Sequence, residues 1–247
     1  MNPTIHTLTN HRSYRQYQDK SVPKEIIEEI MRAAQAAPSW INGQHVTAIL
    51  IRDTDRKNKL AELCGNQKHI NNAPVFLVFC ADFYRAKLAS DMEQKDFKAI
   101  EDIDTLIVGA TDVGIFMQNA ISAAESLGLG VVPIGGIRRN SLKVIEFLEL
   151  PQYVIPICGL CLGYPEGDPG LKPRLPLEAV LHDEHYQTEQ QEIIKAYNTI
   201  YKDYLKNRGD KEAEWTERIA SFYHQSYYPS NASMIKQQGF LAKDMDK

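Results

Sequence analysis

The stretch "DIDTLIVGATDVGIFMQNAISAAESLG" most constrains what this chain can become. Between residues 104 and 127 it keeps a helical rhythm, carries apolar side chains on most of its circumference and is rich in small residues. Such a helix is about 35 Å long at 1.5 Å per residue, and Gly128 closes it. It has little polar face to offer solvent, so it is expected at the centre of the fold or at a subunit interface.

Strands surround it in sequence. "APVFLVFCAD" is continuously apolar, the pattern of a strand covered on both faces. "VTAILIRD", "LGVVPIGGI" and "YVIPICGLCLGYP" read as three more. "VPKEIIEEIMRAAQAAPS" is an amphipathic helix with Ile26, Ile27, Ile30, Met31 and Ala34 on one face, Pro23 in its first turn and Pro38 as its stop. "DTDRKNKLAELCG" is a short helix with Asp53 or Thr54 as cap and Gly65 at its end, and "NSLKVIEFLEL" is a helix capped by Asn140. Long helices between strands give an α/β or α+β class. The last sixty residues are polar, Tyr-rich amphipathic helices, "TEQQEIIKAYNTIYKDYLKNRG" and "EWTERIASFYHQ", and read as an arm over residues 185–247 of a single domain, 1–247.

Bulk charge excludes several roles. The net charge of −4 rules against a broad basic face, so nucleic acid is not an expected partner and any anion site must be local. "MNPTIHTLTNHRS" has no apolar core, and "YVIPICGLCLGY", the longest mostly apolar run, is too short to span a bilayer, so a cytoplasmic protein without a membrane partner is expected. The four cysteines should then be free thiols. Cys158 and Cys161 form a CxxC, but a redox pair wants its first thiol at a helix N-terminus. Here the pair lies in a strand, on opposite faces, and reads as structural. No metal is expected: Cys64 and Cys80 make no second close pair, and His182 and His185 in "LHDEHY" lack a helical zinc spacing.

Four polar clusters remain. "HRSYR" places His11, Arg12, Ser13 and Arg15 together, a dense donor set for a phosphate. "KPRLP" places Lys172 and Arg174 on a loop stiffened by Pro173 and Pro176. "VVPIGGIR" ends a strand in Gly135–Gly136, where backbone can approach a flat ligand; it is not a dinucleotide fingerprint. "APSWINGQ" offers Ser39, Asn42 and Gln44 after a helix stop, with Gln67 of "GNQKH" as a further amide. None decides alone, and for each cationic loop by itself an ordinary loop or turn is the favoured reading. Together they fit a phosphate attached to a flat polar ring.

In their order, "NHRSYRQY", "APSWINGQ", "PVFLVFCADFYR", "AAESLGLG", "PIGGIR", "KPRLP" and the closing "YYP…QQGF" resemble the flavin-dependent nitroreductase superfamily, and within it the NADPH-linked flavin reductase and oxygen-insensitive nitroreductase branch. The resemblance covers most of the chain. It implies an α+β three-layer sandwich with a central mixed sheet flanked by helices, built as an intertwined homodimer with a C-terminal arm. It implies one FMN per subunit near the interface, held by His11, Arg12, Ser13, Arg15, Ser39, Gln67, Ile134, Gly135, Gly136, Lys172 and Arg174. The activity implied is two-electron transfer from NADPH through FMN to free flavin, nitroaromatics, quinones or oxygen, in ping-pong order. The flavin carries the chemistry, so no acid–base pair is needed. Lys172 is the candidate electrostatic stabiliser, and Arg208 in the arm is the candidate for the NADPH 2′-phosphate, with Asp210, Glu212 and Glu214 close by. The competing readings are a flavin carrier or redox sensor without turnover, and a thiol protein working through Cys158 and Cys161.

Overall fold

The continuously apolar run becomes an inner strand. In the computed structural model, which describes residues 2–246, β1 (Val46–Ile51), β2 (Val75–Asp82), β3 (Gly130–Ile134) and β4 (Val154–Gly163) form one sheet in the order β1-β2-β4-β3. Every residue of β2 is buried. Its side chains alternate between two cores: Val75, Leu77, Phe79 and Ala81 enter one, and Phe76, Val78 and Cys80 the other. Phe76 and Phe79 are wholly buried, each contributing about 1.5–3 kcal/mol relative to exposure.

Helices cover both faces. In chain order they are α1 (Pro3–Thr9), α2 (Lys24–Gln35), α3 (Thr54–Leu63), α4 (Lys68–Asn72), α5 (Tyr84–Met92), α6 (Asp104–Ser126) and α7 (Ser141–Leu148). One core takes Ile27, Ile30 and Ala34 of α2 with Val113, Ala120, Ile121 and Ala124 of α6. The other takes Leu60 and Leu63 of α3, Ile70 of α4 and Val144 of α7. The result is the three-layer α+β sandwich expected. The three ladders are antiparallel. The parallel element of the mixed sheet is a single bridge between Ser13 and Val131 at the outer edge of β3.

The long helix ends as its sequence implies. Gly128 adopts φ +77°, its N–H donates to the Glu125 carbonyl (3.0 Å) and the Leu129 N–H reaches Ala124 (2.9 Å), a Schellman closure. It is only partly buried, however. Gly109 and Val113 face the sheet, while Ile107 and Ile115 remain 58% and 37% exposed. By length and composition α6, not the β4 run, is the segment apolar enough to cross a bilayer. Here it lies along the sheet with Asp112 buried. Asp53 caps α3 by accepting from the Arg56 N–H at 2.8 Å. Asn140 does not cap α7 through its side chain; its amide donates instead to the Leu63 carbonyl at 2.6 Å.

Two compact units divide the chain. The first runs to Pro169 and resumes at Ser230 with a short helix, Asn231–Gln237, whose Met234 and the following Phe240 join the α2/α6 core. The second, Gly170–Pro229, holds α8 (Gln191–Asn207) and α9 (Trp215–Tyr223) around Tyr197, Tyr201 and Leu205. Asn198 joins its helices, donating to Glu214 Oε2 (3.0 Å) and accepting from the Thr216 N–H (3.1 Å).

Candidate functional site

The carboxyl end of β3 carries Ile134, Gly135 and Gly136 with Gln67 against them, and Ser13 stands beside Val131 nearer its start. Residues around Ser13 run extended beside β3 in the same direction, fixed by the Tyr14 N–H on the Val131 carbonyl (3.0 Å). Gly130 permits this: a Cβ there would stand 2.8 Å from the Tyr14 ring. Past Ser13 the chain turns to the end of β4, where Tyr17 bridges Pro165 and the Gln18 N–H donates to the Tyr164 carbonyl (3.0 Å). Arg15 is exposed, and its charge reaches His69 on α4: burial first, then this cation, holds the imidazole below its ordinary pKa.

His11 and Arg12 are held by acids. His11 Nδ1 lies 2.6 Å from Glu125 Oε1 on α6, which orients the ring and leaves Nε2 for another partner. Arg12 Nε stands 2.9 Å from Asp168, and its Nη1 donates to the Asn10 carbonyl at 2.9 Å.

After Ile134 the chain turns through Gly135 and Gly136. A Cβ on Gly136 would stand 2.6 Å from the Cys64 carbonyl oxygen and closer still to Gln67 Nε2. Gln67 therefore lies directly on the glycine, where its amide donates to the same Cys64 carbonyl at 3.0 Å. A Cβ on Gly135 would meet only the tip of Arg138, at 3.6 Å. One glycine is closed by its neighbours and the other presents open backbone. Cys158 Sγ accepts from the Ile134 N–H, and Arg138 donates to the Ile157 carbonyl, which tie the turn to β4.

Ser39 lies elsewhere in the chain. Its hydroxyl donates to Asp112 Oδ2 on α6 at 2.7 Å and accepts from the Gln44 N–H at 2.8 Å. Asp112 also receives the Trp40 N–H (3.2 Å) and His45 Nδ1 (3.1 Å). Burial alone would raise this carboxyl, but the hydrogen bonds from Ser39, Trp40 and His45 outweigh it and hold it below its ordinary value. The loop so fixed is bent: Ile41, Asn42 and Gln44 all take left-handed φ, between 49° and 55°. It borders a cavity of about 640 Å³ between α2, α6 and β1, lined by Met31, Ser39, Gln44, Arg85, Asp112 and Phe116. Gln67 and Gly136 belong to the face of α3, α4 and α7, so one chain does not bring Ser39 to them. Asp112 and His45 escaped the sequence reading, although an acid inside an apolar helix was a visible signal.

In the second unit, Lys172 and Arg174 are exposed on their proline-stiffened loop. Arg174 Nη1 donates to the Lys172 carbonyl (3.0 Å), and Tyr197 pins the loop through the Pro173 carbonyl (2.9 Å). Arg208, at the end of α8, pairs with Asp210 (3.0 Å) and donates to the Tyr204 hydroxyl (2.6 Å).

All four cysteines are free and buried. Cys158 is registered with Phe79 beside an irregularity in the ladder, and Cys161 packs in the core of α3, α4 and α7. Burial pushes the Cys64 and Cys80 thiols up to about 12. Among the described residues no cluster of three His, Cys, Asp or Glu could hold a metal ion.

Known proteins share this framework along its length. Residues 8–164 match the nitroreductase family, and residues 172–243 match the nitroreductase family C-terminal domain. The FMN reductase (NAD(P)H) of Bacillus subtilis is 47% identical over 245 residues, covering 97% of this chain and 98% of its own. The oxygen-insensitive NADPH nitroreductase of Salmonella typhimurium is 37% identical over 246 residues, covering 98% and 100%. The structure of Bacillus megaterium NfrA2 superimposes with a TM-score of 0.96 at 46% identity, covering 97% of this chain and 98% of that one. An edge segment rich in cations, a bare glycine turn and an amide laid on it thus sit in a chain that belongs to the nitroreductase family.

Proposed function

We propose that the chain is an FMN-containing, NADPH-dependent oxidoreductase that works in the cytoplasm as a homodimer and reduces small acceptors in ping-pong order. The acceptors are free flavin, nitroaromatics, quinones or oxygen. The observation that carries this reading is the open Gly135 backbone with Gln67 laid on the next glycine, on a strand that Ser13 borders at Val131 and beside a helix, α4, that the Arg15 charge reaches. The names of the relatives support it: one is an FMN reductase, another an NADPH nitroreductase.

The residues fit the cofactor. Arg12, Arg15 and Ser13 are donors suited to its phosphate, and the His11 Nε2 joins them when the ring is protonated, since Nδ1 faces Glu125. The open Gly135 backbone, between Ile134 and Gly136, gives a flat ring a surface without a side chain, and the Gln67 amide can pair with its polar edge. Bound FMN supplies the electron-carrying ring that takes a hydride from NADPH and hands two electrons to the acceptor. The protein's part is to hold, orient and balance charge. Lys172 and Arg174 are assigned to the cofactor by the motif order, with Lys172 offsetting negative charge on the ring. Arg208 is assigned to the 2′-phosphate of NADPH.

The position of Ser39 supports the proposed dimer. It is fastened on the α6 side, while Gln67 and Gly136 lie on the other side of the sheet. Ser39 is thus proposed to serve the partner's FMN, with the exposed Ile107 and Ile115 face of α6 covered by the second copy.

Initial rates with NADPH and an acceptor test the cycle. Parallel double-reciprocal lines are expected. Intersecting lines would show a ternary complex and remove the ping-pong order, and absence of NADPH turnover would leave a flavin carrier.

A further inference from the structure

We propose that Asp210 sets the nicotinamide specificity of this enzyme, weakening its preference for NADPH by competing with the 2′-phosphate for Arg208. The proposal rests on the assignment of Arg208 to that phosphate.

The backbone builds the competitor into place. Arg208 ends α8, and Gly209 follows it with φ +71°. The Gly209 N–H donates to the Lys206 carbonyl and the Asp210 N–H to that of Leu205, both at 3.0 Å. This Schellman closure fixes the Asp210 backbone through main-chain bonds alone. Its carboxylate is therefore delivered to Arg208 Nε, at 3.0 Å, whether or not the ion pair is worth anything. On the other side of the guanidinium, Nη1 donates to the Tyr204 hydroxyl at 2.6 Å, so Arg208 also has a second support.

Of the three acids close by in sequence, the structure singles out one. Glu212 lies 3.6 Å from Lys202. Glu214 caps α9 and accepts from Asn198. Asp210 alone among the three is paired with Arg208. A phosphate reaching Arg208 must displace this carboxylate or lie beside it. NADH carries no phosphate there and meets no such cost. The pair is 39% and 50% exposed, so the interaction is screened and modest.

The test compares Asp210→Asn, Glu212→Gln and Arg208→Ala in steady-state assays with NADPH and with NADH. Asp210→Asn keeps the backbone closure and the Tyr204 support but removes the charge. The KM for NADPH should fall about three- to tenfold, while the KM for NADH and both kcat values stay put. The gain should shrink at about 0.5 M salt. Glu212→Gln should leave the NADPH to NADH ratio unchanged. If Asp210→Asn leaves the NADPH KM where it was, or raises it, the proposal is overturned, as it is if Glu212→Gln has an equal effect. Arg208→Ala reports on the underlying assignment. An unchanged NADPH KM in that variant removes the phosphate role of Arg208 and the proposal with it. A raised KM beside an inert Asp210→Asn overturns the proposal alone.

Discussion

The two glycines after β3 should fail in different ways. A methyl on Gly136 would lie 2.6 Å from the Cys64 carbonyl oxygen, which is backbone, and closer to Gln67 Nε2, which is the end of a flexible side chain. Gln67 can swing away, losing its 3.0 Å bond to Cys64. The carbonyl can retreat only by moving the end of α3. Such overpacking costs about 1–3 kcal/mol, and the lost hydrogen bond adds about 1 kcal/mol. For a chain of this size each kcal/mol lowers Tm by about 2–4 °C. Gly136→Ala should therefore melt roughly 4–16 °C lower on the same figures. Gly135→Ala should melt within about 2 °C of the parent, because surface substitutions away from special contacts stay within about 0.5 kcal/mol. Its methyl meets only Arg138, at 3.6 Å. It projects instead into the surface proposed for the ring, so it should lower FMN affinity about tenfold or more, the factor that 1.4 kcal/mol supplies. The assay is differential scanning fluorimetry of the apo forms beside FMN titration by fluorescence quenching. If Gly135→Ala binds FMN like the parent, the ring does not lie on this turn. If Gly136→Ala melts like the parent, the close approach of Gln67 and Cys64 is wrong.

Other consequences can be checked. Asp112→Ala strips the acceptor from Ser39, Trp40 and His45. It should cost about 2–4 kcal/mol in chemical denaturation, and a loss under 1 kcal/mol would show that the loop does not depend on it. Lys172→Met should slow the anaerobic reduction of bound flavin by NADPH, and unchanged reduction kinetics would remove its electrostatic role. The buried thiols give a pH dependence. Cys80 is raised from 9.0 to about 12, so its stabilising contribution is whole below pH 9.0 and is lost as pH climbs toward 12. Between these limits stability should fall by about 1.4 kcal/mol per pH unit for that thiol. Cys80→Ala should flatten the decline by that amount, and equal slopes would contradict the burial.

The layered architecture was legible because it rests on period and continuity. Seven unbroken apolar residues, Val75 to Ala81 of β2, could only be an inner strand, and the glycine after α6 could only be a stop. The α4 and α1 helices left no such trace, since five and seven residues are too few for a helical period to show. At the site, motif order pointed to the residues but not to their sides of the sheet. Ser39 reads as a neighbour of Gln67 in any inventory of polar loops. Its fastening to Asp112, far along the chain, places it on the opposite face. Arg208 stood among three nearby acids, and only the turn at Gly209 selects Asp210 from them. Contacts made by folding at long range, or by the handedness of one turn, have no signature in local pattern.

The most direct test is the visible absorption spectrum of the purified protein reconstituted with FMN, recorded before and after anaerobic NADPH. Proposed function and site together predict a yellow protein with stoichiometric bound flavin that bleaches promptly on NADPH and regains its colour with an acceptor. A protein that retains no FMN would contradict the site at the end of β3, and one that stays yellow with NADPH would contradict the oxidoreductase.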